Sequence, residues 1–125
     1  MKKTIKKAIC VLSATMCVMG SAVVASADTV TFNVTIPDDP YSYAVRKADT
    51  EQRFYVTGTS FSKNAILNCR SGKAGQGMSS NIASISPSSK ASSASYTKYA
   101  APNYTYEMRA SSSVNGLNVR GRYTP

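Results

Sequence analysis

From Val30 onward, apolar and polar positions alternate along the chain in short bursts separated by turn residues. In VTFNVTI, Val30, Phe32, Val34 and Ile36 fall on one side and Thr31, Asn33 and Thr35 on the other. This period-two pattern, rich in β-branched residues, belongs to a strand with one buried face. The PDDP run at Pro37–Pro40 ends it, because proline has no N–H to give a ladder. Tyr41–Val45 predicts a second, shorter strand, and Arg53–Thr59 a third with Phe54 and Val56 inward. Ala65–Arg70 predicts a fourth, with Ala65, Leu67 and Cys69 in phase. The glycine-rich segment Ser71–Ser80 predicts a long mobile loop. Asn81–Ser86 is a weak strand stopped by Pro87, and the small polar run Ser88–Ser95 predicts a flexible loop. Tyr104–Ala110 opens another strand, and no stretch after Ala27 has a helical period.

The final segment, NGLNVRGRYTP, alternates in the same way. Asn115-Gly116 is a strong signal for a two-residue hairpin, since a type I′ turn needs positive φ at both central positions. That turn would pair Val114 with Leu117, Ser112 with Val119, Ala110 with Gly121 and Met108 with Tyr123. It would gather Glu107, Arg109, Asn118, Arg120 and Arg122 on the opposite face, with Arg109 across from Arg122. The whole pattern predicts an all-β fold, a small antiparallel β-sandwich of six or seven strands closed by a C-terminal hairpin. Deletion of the last ten residues should then unfold the domain.

The start of the chain is different. Lys2, Lys3, Lys6 and Lys7 precede an uncharged apolar run from Ala8 to Val24, and Ala25 and Ala27 form an A-x-A box. These are the three parts of a secretory signal peptide, so residues 1–27 are expected to be removed and 28–125 to form one secreted domain. Neither Cys10 nor Cys17 follows the small residue that lipid attachment requires. No later segment is apolar for long enough to span a bilayer.

Composition then narrows the chemistry. Four of the 15 basic residues lie in the signal, leaving eleven against 6 acidic ones and a net charge of about +5 on the secreted part. Two of the 3 cysteines also lie there, so Cys69 has no partner for an internal disulfide and is expected to be a buried small hydrophobe. The chain has no histidine and no tryptophan. The commonest general base, the usual zinc ligand and any Ser-His or Cys-His pair are therefore missing from its repertoire. Asp38 and Asp39 are adjacent, which points them to opposite sides of an extended chain, and Asp49 and Glu51 form a loose pair. The expectation is a non-catalytic protein without metal or cofactor.

The remaining candidates are cationic and aromatic. Arg109, Arg120 and Arg122, brought together by the hairpin register, make the basic face expected to meet an anionic partner. For an exported protein that partner is cell-wall polymer or anionic lipid headgroups, with nucleic acid set aside. Most of the eight tyrosines read as strand packing. Tyr96 and Tyr99 lie in polar surroundings and are the expected aromatic contacts.

With the signal, the Tyr- and Ser-rich β pattern and the ending Gly121-Arg122-Tyr123-Thr124-Pro125 in view, the chain resembles uncharacterised small exported β-sandwich proteins of Gram-positive bacteria. The resemblance covers the secreted part in outline and Gly121–Pro125 as a motif. The plan is also loosely similar to that of lactococcin-972-type bacteriocins. It implies a secreted β-sandwich that acts at the cell envelope, or alternatively a bacteriocin-like effector, and it transfers no functional residues.

Overall fold

The computed structural model describes residues 28–125; the expected signal segment lies outside the described residues. Among the described residues eight strands form: β1 (Val30–Thr35), β2 (Val45–Arg46), β3 (Arg53–Phe61), β4 (Leu67–Lys73), β5 (Ala83–Ile85), β6 (Ala91–Ser95), β7 (Thr105–Ser111) and β8 (Asn118–Thr124). They assemble into two four-stranded sheets, ordered β1-β8-β3-β6 and β2-β7-β4-β5, and every pairing is antiparallel. The fold is the expected all-β sandwich. No helix among the described residues is long and apolar enough to cross a membrane.

Alternation does the sorting. Phe32, Val34, Phe54, Val56, Leu67, Cys69, Met108, Ala110, Leu117, Val119 and Tyr123 all turn into the space between the sheets. Each buried side chain of this size contributes roughly 1.5–3 kcal/mol relative to exposure, so a one-residue slip in any strand is strongly disfavoured. Cys69 is fully buried, and loss of solvation pushes its thiol up to about 12.

The C-terminal hairpin does not form. β7 lies in the second sheet between β2 and β4, whereas β8 lies in the first between β1 and β3. Gly116 does have positive φ (78°), but Asn115 is not among the residues that do, so the type I′ geometry is absent. Residues 112–117 instead carry the chain across the sandwich. Gly116 N–H donates to the Ile36 carbonyl at 2.7 Å, and Ile36 N–H donates to the Leu117 carbonyl at 2.9 Å. The end of β1 thus captures the start of β8 and builds the first sheet. Only β4 and β5 are both consecutive in the chain and neighbours in a sheet; every other connection changes layer.

Three further expectations change. The Ser88–Ser95 loop contains β6, whose small side chains lie along the edge of β3, with Ala94 buried. Ser71, assigned to the mobile loop, is an inward residue of β4, which extends to Lys73. The loop after it folds back over β4, where the Gly77 carbonyl lies 2.7 Å from where a Cβ on Gly72 would stand. Of the second predicted strand, Tyr41–Val45, only Val45 pairs as a strand, together with Arg46 just beyond it, and Tyr41 is joined to β7 by a single bridge.

β3 carries a bulge between Gly58 and Ser60. The extra residue, Thr59, donates its hydroxyl to the Arg120 carbonyl at 3.1 Å, and the bulge turns the Phe61 ring over Gly58. Gly121 faces Gly58 across the ladder; a Cβ there would stand 2.0 Å from the Thr57 carbonyl oxygen. The glycine of the terminal motif is required by this close approach.

Candidate binding faces

The sandwich separates the arginines that the hairpin register would have joined. Arg120 and Arg122 stand on the outer face of the first sheet, and Arg109 stands on the outer face of the second. Arg109 is opposite Arg70 of β4, not Arg122.

On the first sheet, β8 is a central strand, so its outward residues have neighbours on both sides. Arg122 lies between Thr31 and Thr57, and Arg120 between Asn33 and Ser60. Residues two apart on a strand are spaced by roughly 6.6 Å. Asn118 completes the row and donates to Asn33 Oδ1, Thr35 Oγ1 and the Val34 carbonyl at 2.7–3.1 Å. Arg53 at the far end of β3 donates to Ser93 Oγ at 2.9 Å. Among the described residues, ion pairs form only between Arg46 and Asp28 and between Lys47 and Asp49. Arg53, Arg120 and Arg122 therefore have no carboxylate within ion-pair distance.

Two shallow grooves mark this side. One, of about 400 Å³, is lined by Thr31, Phe32, Asn33, Tyr43, Thr59, Arg120 and Gly121. The other, of about 350 Å³, includes Thr59, Lys63, Pro87 and Lys90. They meet at Thr59, so the bulge joins a hydroxyl-lined arginine groove to a lysine-lined one. Neither Tyr43 nor Thr59 stood out in the sequence; an exposed tyrosine before a two-residue strand and a bulge residue have no local signature.

The outer face of the second sheet is built from different residues. Tyr41, bridged singly to β7, lies beside Arg109, and Arg109 lies opposite Arg70 of β4. Ile82, directly before β5, is out of phase with the buried Ala83 and is 48% exposed. Ile66, directly before β4, is out of phase with the buried Leu67 and is 56% exposed. Between them, Ser84 Oγ donates to Asn68 Oδ1 at 2.7 Å. Glu107, the acidic residue on this face of β7, accepts from Gly75 N–H at 3.3 Å instead of engaging an arginine.

The two candidate tyrosines also separate. Tyr99 is 70% exposed on the β6–β7 connection, but Tyr96 belongs to the core. The alternation of buried Ala94 with Tyr96 is the signal that a loop assignment conceals. Tyr96, Phe54, Tyr106 and Tyr123 cluster with ring centroids 5.8–6.3 Å apart. The Ser71 hydroxyl lies 2.9 Å from that of Tyr96 and also hydrogen-bonds that of Tyr123, linking β4 of one sheet to β8 of the other. Burial pushes the Tyr96 phenol up to about 12 and raises that of Tyr123 well above its ordinary value.

Lys47, which counts as one surface cation among many in the sequence, is fully buried. Its Nζ donates to Asp49 Oδ1 at 2.9 Å, to the Glu51 carbonyl and to the Pro125 oxygen at 3.3 Å, and it lies 5.4 Å from the centre of the Tyr96 ring. The loose acidic pair is thus engaged: Asp49 holds Lys47, and the Glu51 carboxylate accepts the Tyr55 hydroxyl. Among the described residues no three His, Cys, Asp or Glu side chains converge in a way that could hold a metal ion. Compared with protein-family models, curated proteins and solved structures, the chain matches none.

Proposed function

We propose that this is an exported, non-catalytic protein that binds an anionic polymer of the cell envelope through the outer face of its first sheet. The carrying observation is the pair Arg120 and Arg122 on a central strand, with no carboxylate in reach and hydroxyl or amide side chains on both flanks. A central strand holds both guanidinium groups on one rigid surface, and each offers a planar fork of donors suited to phosphate. The surrounding Thr, Ser and Asn groups suit a polyol or sugar backbone. The lysine groove beyond Thr59 would extend the track along the polymer.

The reading fits the +5 charge of the secreted part and its signal-like N-terminus. Sedimentation of the protein with purified cell walls tests it. Binding should be strong at low salt, fall as salt rises, and drop about tenfold or more in an Arg120→Ser/Arg122→Ser variant that remains folded. Absence of binding at any ionic strength overturns the reading.

A further inference from the structure

The second outer face carries a separate proposal. Arg70 and Arg109 sit directly opposite each other in the β4–β7 register, an arrangement that costs stability through like-charge repulsion. The nearest acid on the face, Glu107, is turned toward Gly75, and neither arginine has an ion-pair partner among the described residues. Tyr41 is bridged to Arg109 on one side; on the other, Ile82 stands one residue beyond the Cys69–Ala83 pairing, as Arg70 does on β4, and exposed Ile66 directly precedes β4. Exposed isoleucines at the entry to strands gain nothing from water.

We propose that this face docks on an anionic lipid surface, with Arg70 and Arg109 at the headgroup phosphates and Ile66, Ile82 and the Tyr41 ring entering the headgroup–acyl boundary. The combination of cations with exposed aliphatic and aromatic side chains is what an interfacial surface requires. A polyol-phosphate polymer satisfies the arginines but offers nothing to the isoleucines. A second copy of the chain docked by the same face in two-fold symmetry would set arginine against arginine. Charge complementarity therefore selects the lipid. The contact uses the side opposite the polymer face, so one molecule could hold both partners.

Flotation of the intact protein with phosphatidylglycerol–phosphatidylcholine vesicles, compared with phosphatidylcholine alone, tests this. Binding is expected to the anionic vesicles only. Arg70→Ser/Arg109→Ser should weaken it by roughly tenfold or more, taking each basic residue at the surface as a contributor. Ile66→Ser/Ile82→Ser should also weaken it severalfold, at unchanged net charge. Lys98→Ser, which removes an exposed cation on the β6–β7 connection, should leave it close to the starting protein. Circular dichroism of each variant confirms that the fold is kept.

The proposal is overturned by any of four results: no binding to anionic vesicles at low salt; an equal loss in the lysine variant; no effect of the isoleucine substitutions; or a dimer without vesicles that the same substitutions dissolve. Wall sedimentation of the Arg70→Ser/Arg109→Ser protein separates the two faces. Retained wall binding with lost vesicle binding leaves the polymer reading standing whatever happens to this one.

Discussion

The two outer faces are made by the same device, outward residues on antiparallel strands, yet they present different chemistry. The first sheet surrounds its arginines with Thr, Ser and Asn, and each guanidinium has neutral hydrogen-bonding neighbours across both ladders. The second sets two arginines against each other and leaves two isoleucines half in water. A face selected only for solubility would place its charges to avoid such opposition. The contrast teaches that positive charge alone does not define a site here. What surrounds each cation decides which anion it suits.

The largest test of that comparison asks whether the faces are independent. They share one core, and β8 is the central strand that β1 and β3 both need. Deleting residues 116–125 should therefore abolish cooperative unfolding and both binding activities, as seen by circular dichroism and sedimentation. A folded remnant that still binds vesicles would make the second sheet a module in its own right.

Next in size is Lys47→Ala. Its ammonium connects the end of β2 to the Pro125 oxygen beside β8, and removing it takes the cation from the part-buried Asp49 carboxylate and this donor from the buried Pro125 oxygen. Urea unfolding should show a loss of roughly 3 kcal/mol, with both faces weakened together only through unfolding.

Alkaline pH acts on the same interlayer region. An unfolded tyrosine ionises near pH 10, whereas Tyr96 is held to about 12 and Tyr123 well above its ordinary value by burial. Their contribution to stability is complete below pH 10 and is lost as pH climbs toward and beyond 12. Tyr123→Phe should flatten this fall in a pH series of thermal melts, at the cost of about 1 kcal/mol at neutral pH for the lost hydroxyl contact with Ser71.

The smallest effect separates the faces most sharply. Arg109→Glu turns the like-charge pair with Arg70 into an opposite one and should stabilise the fold by about 0.2–1 kcal/mol, while vesicle binding falls. Arg122→Glu, flanked by Thr31 and Thr57, should leave stability within about 0.5 kcal/mol, while wall binding falls. Equal stability changes in the two variants would erase the distinction between the faces.

Much of the fold was legible. Strict alternation in Val30–Ile36, Phe54–Val56 and Met108–Ala110 assigned inward residues correctly, because burying one face of a strand admits only one phase. The site was legible only in its cations. Arg120 and Arg122 emerge together because they are two apart on one strand, which is a local fact. Arg70 as the neighbour of Arg109 is a long-range fact with no sequence mark. Lys47 is the extreme case: a charged residue in a polar stretch is buried because Asp49, the Glu51 carbonyl and the Pro125 oxygen meet there in three dimensions.

The C-terminal segment shows where the boundary lies. Leu117, Val119 and Tyr123 are buried and Arg120 and Arg122 exposed, as alternation alone requires. The partner strand was a different matter. Two strands lying side by side in one sheet, and two facing each other across a core, bury the same alternate residues, so the pattern cannot tell a hairpin from a crossing between layers. That choice fell to Ile36, whose backbone captures Gly116 and Leu117 and draws β8 into the first sheet. By itself the sequence determined the class of fold and which way each strand faces. Which strands meet, and therefore which arginines share a surface, was decided only by long-range hydrogen bonds between segments about 40 to 90 residues apart.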